Sequence, residues 1–363
     1  QASFGSGCGG GLESRAACTA PSSQPSAGLG GGMAEVLQSK ATGLAFSPPP
    51  RATLAFVQLP SDIVFETEAH GIFSQLAGVV WRVTKMRFAA EPAGAAAAPP
   101  GAEAPGTASE TISRENYERN RGAVRAAAES FQPRPRPSGG AGAKEYGALD
   151  VLALSCTSMS VSLGDAAVRA LLESGYPGPS TQFATMSSAI IRGLRAVYHS
   201  IAAQNDQGAS LRLALITPYS DMLHGQMATY FVEACRPWLD VVAQANFDLN
   251  RDTLVSSVQP ESVLGCAQEC IRACGRPVDC ALLCCSALRV TGEGFIDRAE
   301  QALGVPVLTS NQCLIWESLH AAAGSEDTAI QRSEVEAVRG YGRLFALGRP
   351  GEEPGGRSGQ RGA

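Results

Sequence analysis

A chain of 363 residues, 44% hydrophobic and 17% charged, has enough apolar content for one large or two medium globular cores. Its formal net charge of -5, without any Lys/Arg-rich block, excludes the basic surface that a phosphate backbone requires, so nucleic acid is not an expected partner. No apolar run approaches the roughly 20 residues needed to span a bilayer, and no membrane partner is expected. The eleven cysteines are odd in number and crowded between Cys266 and Cys285 inside apolar text, which points to reduced thiols rather than a disulfide framework. A soluble protein of a reducing compartment, cytoplasm or organelle lumen, is the expectation.

Residues 1–50 are rich in Gly, Ser, Ala and Pro without hydrophobic periodicity and are expected to be disordered. The opening Gln1 fits an incomplete or processed chain. A linker is preferred over an organelle-targeting remnant, because the Arg-rich amphipathic pattern is missing. Residues 52–59, a short apolar run stopped by Pro60, predict a buried parallel strand. A second low-complexity stretch, about 91–142, flanks a polar helical piece at 109–130 and reads as a disordered surface insertion. Beyond it, strands are predicted at 149–154, 211–216, 280–284 and 305–309, with helices such as 187–202 and 260–274 between them. Strands alternating with helices predict a parallel sheet covered on both faces.

Open parallel sheets bind ligands beyond the carboxyl ends of their strands, so the residues after each apolar run are the ones to inspect. They read Leu59-Pro-Ser-Asp62, Ser155-Cys-Thr-Ser-Met-Ser160, Thr217-Pro-Tyr-Ser-Asp221, Cys284-Cys-Ser-Ala-Leu-Arg289 and Thr309-Ser-Asn-Gln312. Two tips resemble each other, Cys156-Thr157 and Cys285-Ser286, as expected of pseudo-symmetric halves. Thiols facing across a cleft can act as base and acid on opposite faces of a carbon, or one can add to an electron-poor double bond. Either needs a thiolate, which loop N–H groups and a helix start are expected to favour. Against this stands the ordinary behaviour of a free Cys as a small buried hydrophobe.

These tips, with Gly304-Val-Pro-Val-Leu-Thr-Ser-Asn-Gln312, Trp316, Thr185-Met-Ser-Ser-Ala-Ile-Ile-Arg-Gly-Leu-Arg195 and Ala214-Leu-Ile-Thr-Pro-Tyr219, resemble the aspartate/glutamate racemase superfamily. The likeness is to its branch of maleate cis-trans isomerases and arylmalonate decarboxylases and covers most of 52–320. It implies an α/β fold of two similar Rossmann-like, doubly wound halves related by a pseudo-two-fold, with the active site between them. The first half would hold 51–186 and 305–345, the second 187–304, and 346–363 would be a disordered tail. By the same resemblance Cys156 and Cys285 are the catalytic thiols, and Cys284, at the strand end, points the other way. Thr157, Ser158 and Tyr219 match carboxylate-binding positions, and Ser286 is an additional donor. No cofactor and no metal are implied; the partner is a small carboxylate substrate, and a homo-oligomer stays open.

Two departures shape the functional expectation. Arylmalonate decarboxylases resembling this chain carry Gly where Cys156 stands, so two thiols lean towards an isomerase, maleate-type first and an amino-acid racemase next. Decarboxylation and non-catalytic carboxylate binding are the alternatives. Asp62 stands where the isomerases place Asn, and an ionised Asp62 would repel a dicarboxylate by roughly 4 kcal/mol at about 4 Å and an effective dielectric of about 20. Cys266, Cys270 and Cys274, four apart, read as a packed helix face rather than a metal site. His70, His199, His224 and His320 form no ligand pair and are expected at the surface or at helix ends. The Gly runs 9–11 and 30–32 follow no strand and are no nucleotide fingerprint.

Overall fold

The computed structural model describes residues 50–88, 111–132, 148–203, 210–292, 294–325 and 328–350. The expectations for 1–49, for 351–363 and for the insertion at 89–110 and 133–147 lie outside the described residues.

The first half runs β1 (Ala52–Gln58), α1 (Phe65–Phe73), β2 (Val79–Lys85), α2 (Arg114–Arg119), α3 (Arg121–Glu129), β3 (Val151–Ser155), α4 (Thr157–Leu163), α5 (Asp165–Gly175) and β4 (Gln182–Thr185). Then follow α6 (Met186–Ala202), β5 (Leu211–Tyr219), α7 (Asp221–Ala234), β6 (Leu239–Leu249), α8 (Asp252–Val255), α9 (Pro260–Cys274), β7 (Cys280–Leu283), α10 (Phe295–Leu303), β8 (Val307–Thr309), α11 (Ser310–Ala323) and α12 (Arg332–Val335). A 3-10 turn at Arg343–Ala346 closes the described chain.

All pairings within the two sheets are parallel, and the sheets repeat one order, β2-β1-β3-β4 and β6-β5-β7-β8. The central strands form because their apolar runs can be covered on both faces: every residue of β1, β3 and β7 is buried. Each fully buried Leu or Phe there contributes about 1.5–3 kcal/mol. The α/β architecture of two similar parallel-sheet halves is therefore observed as expected.

The halves are tied by helices that start directly from the last strand of each sheet. Thr185 caps α6 and Thr309 caps α11, each in a reciprocal capping box, with Ser188 and Gln312 respectively. The two helices pack on each other, and their closest approach is at Gly193, where a Cβ would lie 3.0 Å from Cys313 Sγ. Glu317 on α11, almost fully buried, pairs with Arg192 of α6 and with Arg349.

Three features depart from the sequence reading. Residues 305–309, placed with the first half, hold β8, which pairs with β7 in the second sheet, whereas α11 packs on β3 and β4. The stretch 111–132, placed in a disordered insertion, forms α2 and α3 with Tyr117, Val124, Ala128 and Phe131 buried in the core. Its Ala-rich helix is apolar along one face, and that face has a first-half surface to cover. His224 and His320 are buried rather than superficial, although His320 does lie in the last turn of α11: His224 bonds Thr217 and Gln244, and the His320 ring packs tilted against Trp316.

Candidate active site

The order 2-1-3-4 reverses direction between the first two strands of each half, so crevices open beside the carboxyl ends of β1 and β3 and of β5 and β7. Both cysteines singled out in the sequence lie there. Cys156 follows β3 directly and serves as the N-cap of α4, its sulfur accepting the Met159 N–H at 3.4 Å with the Ser158 hydroxyl 3.6 Å away. Cys285 follows β7 and accepts the Ala287 N–H at 3.3 Å, and the Tyr219 phenol hydrogen-bonds the same sulfur. Its neighbour Cys284 faces the Ser310 hydroxyl, 3.9 Å off.

The two thiols share their surroundings. The phenols of Tyr117 and Tyr219 each feel both Cys156 and Cys285, and Asp252 and Asp62 act on both sulfurs. One cluster therefore gathers the tips of β1, β3, β5, β6 and β7, with the segment before α2 laid across it. That segment is held at the β6 tip by a bridge from Thr111 to Arg251 and by Ile112 N–H on the Asn250 carbonyl. At the β3 tip the Tyr117 hydroxyl meets Ser158 Oγ at 2.7 Å.

The acidity of the thiols is the reverse of the sequence expectation. Burial pushes Cys156 from 9.0 up to about 12, and the negative charge of Asp252 pushes the same way, while the Met159 N–H and Ser158 pull down without prevailing. Burial and then Asp252 likewise hold Cys285 well above the ordinary thiol range, against Tyr219 and the Ala287 N–H. A single N–H at a sulfur is worth about 1 kcal/mol, less than the desolvation of a thiolate. Both buried thiols are therefore protonated at neutral pH.

Asp62 is completely buried at the start of α1, with Oδ1 accepting the N–H groups of Val64 (2.9 Å) and Phe65 (3.2 Å). Burial raises its carboxyl, opposed by those N–H groups and by the side chains of Ser286 and Gln58 that lie against it. Oδ2 of Asp62 and Oε1 of Gln58 both lack hydrogen-bond partners, an arrangement a protonated Asp62 accommodates better than an ionised one. Thr157 donates to Ser310 Oγ at 2.9 Å, across to α11, and Ser286 offers its carbonyl to Asn311 at 2.8 Å. All seven residues singled out in the sequence, Asp62, Cys156, Thr157, Ser158, Tyr219, Cys285 and Ser286, are buried.

Sequence reasoning missed Tyr117, Asp252, Glu68 and Asn311. Tyr117 sits in the helical piece at 109–130, which was read as part of a surface insertion and not as core, and Asp252 follows an edge strand that was not recognised. Asn311 lies within the quoted tip Thr309-Ser-Asn-Gln312, where Gln312 turns to the Tyr341 carbonyl and Asn311 turns to the Cys285 loop. Cys266, Cys270 and Cys274 lie half-buried on α9 against the core, and among the described residues no group of three His, Cys, Asp or Glu is placed to hold a metal ion. No helix among the described residues is long and apolar enough to cross a membrane.

Twin parallel sheets of one order, each with a cysteine just past its third strand, make up an α/β fold in which the two thiols lie at equivalent strand tips. The chain belongs to the arylmalonate decarboxylase family, whose model matches residues 92–336. The arylmalonate decarboxylase of Bordetella bronchiseptica is 28% identical over 203 residues, 54% of this chain and 70% of that relative. Solved structures share the fold. A maleate cis-trans isomerase variant of Nocardia farcinica with a covalently bound succinylcysteine intermediate superposes with a TM-score of 0.58 at 18% identity, over 81% of this chain and 98% of that one. A liganded arylmalonate decarboxylase double mutant gives 0.57 at 19%, over 81% and 98%. A maleate isomerase variant of Pseudomonas putida S16 with maleate gives 0.57 at 18%, over 81% and 97%.

Proposed function

We propose that this chain is a cofactor-independent isomerase of a small carboxylate that works through two thiols, Cys156 and Cys285, on opposite sides of the bound molecule. The observation that carries this proposal is the shared environment of the two sulfurs: each half delivers one, and both have Tyr117, Tyr219, Asp62 and Asp252 as neighbours. A binding protein would have no need of paired thiols there.

Ser158, Thr157, Ser286, Tyr219 and the loop N–H groups would hold the substrate carboxylate and the enolate that develops from it. Because burial keeps both thiols protonated, one proton must leave to solvent as substrate binds. In a maleate-type reaction the Cys156 thiolate adds to one alkene carbon while Cys285 gives its proton to the other. Rotation about the new single bond follows, and loss of the proton back to Cys285 expels Cys156 and leaves the trans alkene. In racemisation the Cys156 thiolate removes the α-proton and Cys285 protonates the opposite face. The covalent succinylcysteine of the Nocardia farcinica isomerase supports the addition route by analogy of fold.

A second activity, decarboxylation of a substituted malonate, is favoured by the protonated state of Cys285 and by the family match. Carbon dioxide leaves, and the enediolate takes its proton from Cys285 alone. A panel of maleate, aspartate, glutamate and phenylmalonate, read by NMR and by carbon dioxide release, separates the two. Fumarate or an inverted amino acid supports the isomerase; carbon dioxide with no isomer formed refutes it in favour of decarboxylation.

A further inference from the structure

The second thiol lies on a short loop, 285–291, which is held within its own half by Arg289 Nε on the Ser256 carbonyl at 2.9 Å and is gripped from the other half as well. Glu68, on α1, is buried, and its Oε1 accepts the Thr291 N–H at 2.7 Å. Its Oε2 accepts Asn311 Nδ2 at 2.7 Å, and the same Nδ2 donates to the Ser286 carbonyl at 2.8 Å. The loop is thus gripped at both ends from one carboxyl group, directly at Thr291 and through Asn311 at Ser286. Between these points the Ala287 N–H faces the Cys285 sulfur. The Thr291 hydroxyl is further tied to Thr309 at 2.6 Å.

Burying a carboxyl costs several kcal/mol unless its lone pairs are used, and an apolar residue would fill this place on α1 more cheaply. Asp62, in the turn that leads into the same helix, has its carboxyl against the Ser286 side chain. This one stretch of the first half therefore touches the thiol loop of the second at its start from Asp62 and at its end from Glu68.

We propose that Glu68 is the positioning residue of the second thiol, holding the 285–291 loop through Thr291 and Asn311 so that Cys285 keeps its place in the site. Loop geometry then depends on docking of the two halves, and a change at Glu68 acts on Cys285 while leaving Cys156 in place. The turnover arm of the test rests on the two-thiol function proposed above; the labelling arm does not.

The test compares the full-length protein with Glu68→Ala, Glu68→Gln and Asn311→Ala. Each folded variant is pulse-alkylated with iodoacetamide and digested, and fragment-ion masses separate Cys284, Cys285 and Cys156. Glu68→Ala is expected to speed Cys285 alkylation by about tenfold or more and to leave Cys156 within about twofold, because only the loop opens locally. Glu68→Gln, which keeps one acceptor, restores part of the protection. With any substrate turned over, kcat falls in Glu68→Ala by about a hundredfold while KM stays within about threefold, and Glu68→Gln recovers part of kcat. If Glu68→Ala does not fold, Asn311→Ala, which removes only the Ser286 arm and one Glu68 contact, must show the same selective exposure. Unchanged or slower Cys285 alkylation, or equal acceleration at Cys156 and Cys285, overturns the proposal even if no substrate is found.

Discussion

Replacing Asp252 with Asn removes the charge that, after burial, weighs most against a thiolate at both Cys156 and Cys285. Cys156 at about 12 holds only about one thiolate in ten thousand molecules at pH 8, whereas a thiol at its ordinary 9.0 holds about one in ten. Higher intrinsic nucleophilicity returns part of that thousandfold deficit, so Cys156 should alkylate only about 40-fold more slowly than an exposed thiol before access is considered. A unit charge about 6 Å away at an effective dielectric of about 20 contributes about 3 kcal/mol, or about two pH units. Asp252→Asn is therefore expected to move the midpoint of the Cys156 alkylation–pH profile down by about two pH units and to move Cys285 in the same direction. The assay is the iodoacetamide rate at each peptide between pH 6 and about 11, with circular dichroism confirming the fold at each pH; the wild-type Cys156 rate should still be rising at the end of that range, whereas that of the variant levels off at about pH 10. A wild-type Cys156 midpoint below about 9, or identical midpoints in the two proteins, would refute the account of how the site sets thiol acidity.

Glu68 gives a stability prediction of opposite kind. Burial lifts its carboxyl from 4.5 to about 7, with the Asp62 charge adding to the effect, so the folded state holds this proton where the unfolded chain has released it. Its contribution is complete below about pH 4.5 and is lost as pH rises through about 7, a change of about 3 kcal/mol in all. Urea unfolding of wild type and Glu68→Gln from pH 5 to about 8 should show the wild type losing that amount relative to the variant, and parallel curves would exclude the shift. Tyr117→Phe leaves Ser158 Oγ without its 2.7 Å partner. It should cost about 1 kcal/mol in urea unfolding and lower kcat about tenfold. Unaltered turnover would mean that the 111–132 segment covers the site without serving it.

The central strands were legible because burial on both faces writes them as unbroken apolar runs: β1, β3, β5 and β7 all lie inside or across the predicted segments. Of the edge strands only β8, buried along its length, carries that mark. β2 and β6 are half-exposed, and β4 is four residues long, so none of them was marked as a strand. Losing β6 also lost its tip, and with it Asp252. Both thiols could be picked out because the two halves repeat a strand, a cysteine and a hydroxyl at equivalent ends. Their acidity could not, since the motif shows the N–H donors and not the depth of burial that outweighs them. Glu68 lies just beyond the quoted tip Leu59-Pro-Ser-Asp62, yet its partners Thr291 and Asn311 are more than two hundred residues away. Long-range polar contacts of that kind leave no local pattern. Tyr117 was hidden by its neighbours, because an Ala/Pro/Gly-rich stretch on either side of α2 and α3 made a core segment read as filler.

The most direct test of two working thiols is NMR in deuterated water on wild type, Cys156→Ala and Cys285→Ala, using whichever substrate of the panel is turned over. The account predicts deuterium entering a carbon position with the wild type, and losses of about a hundredfold or more in both variants. Full turnover by either variant would contradict it.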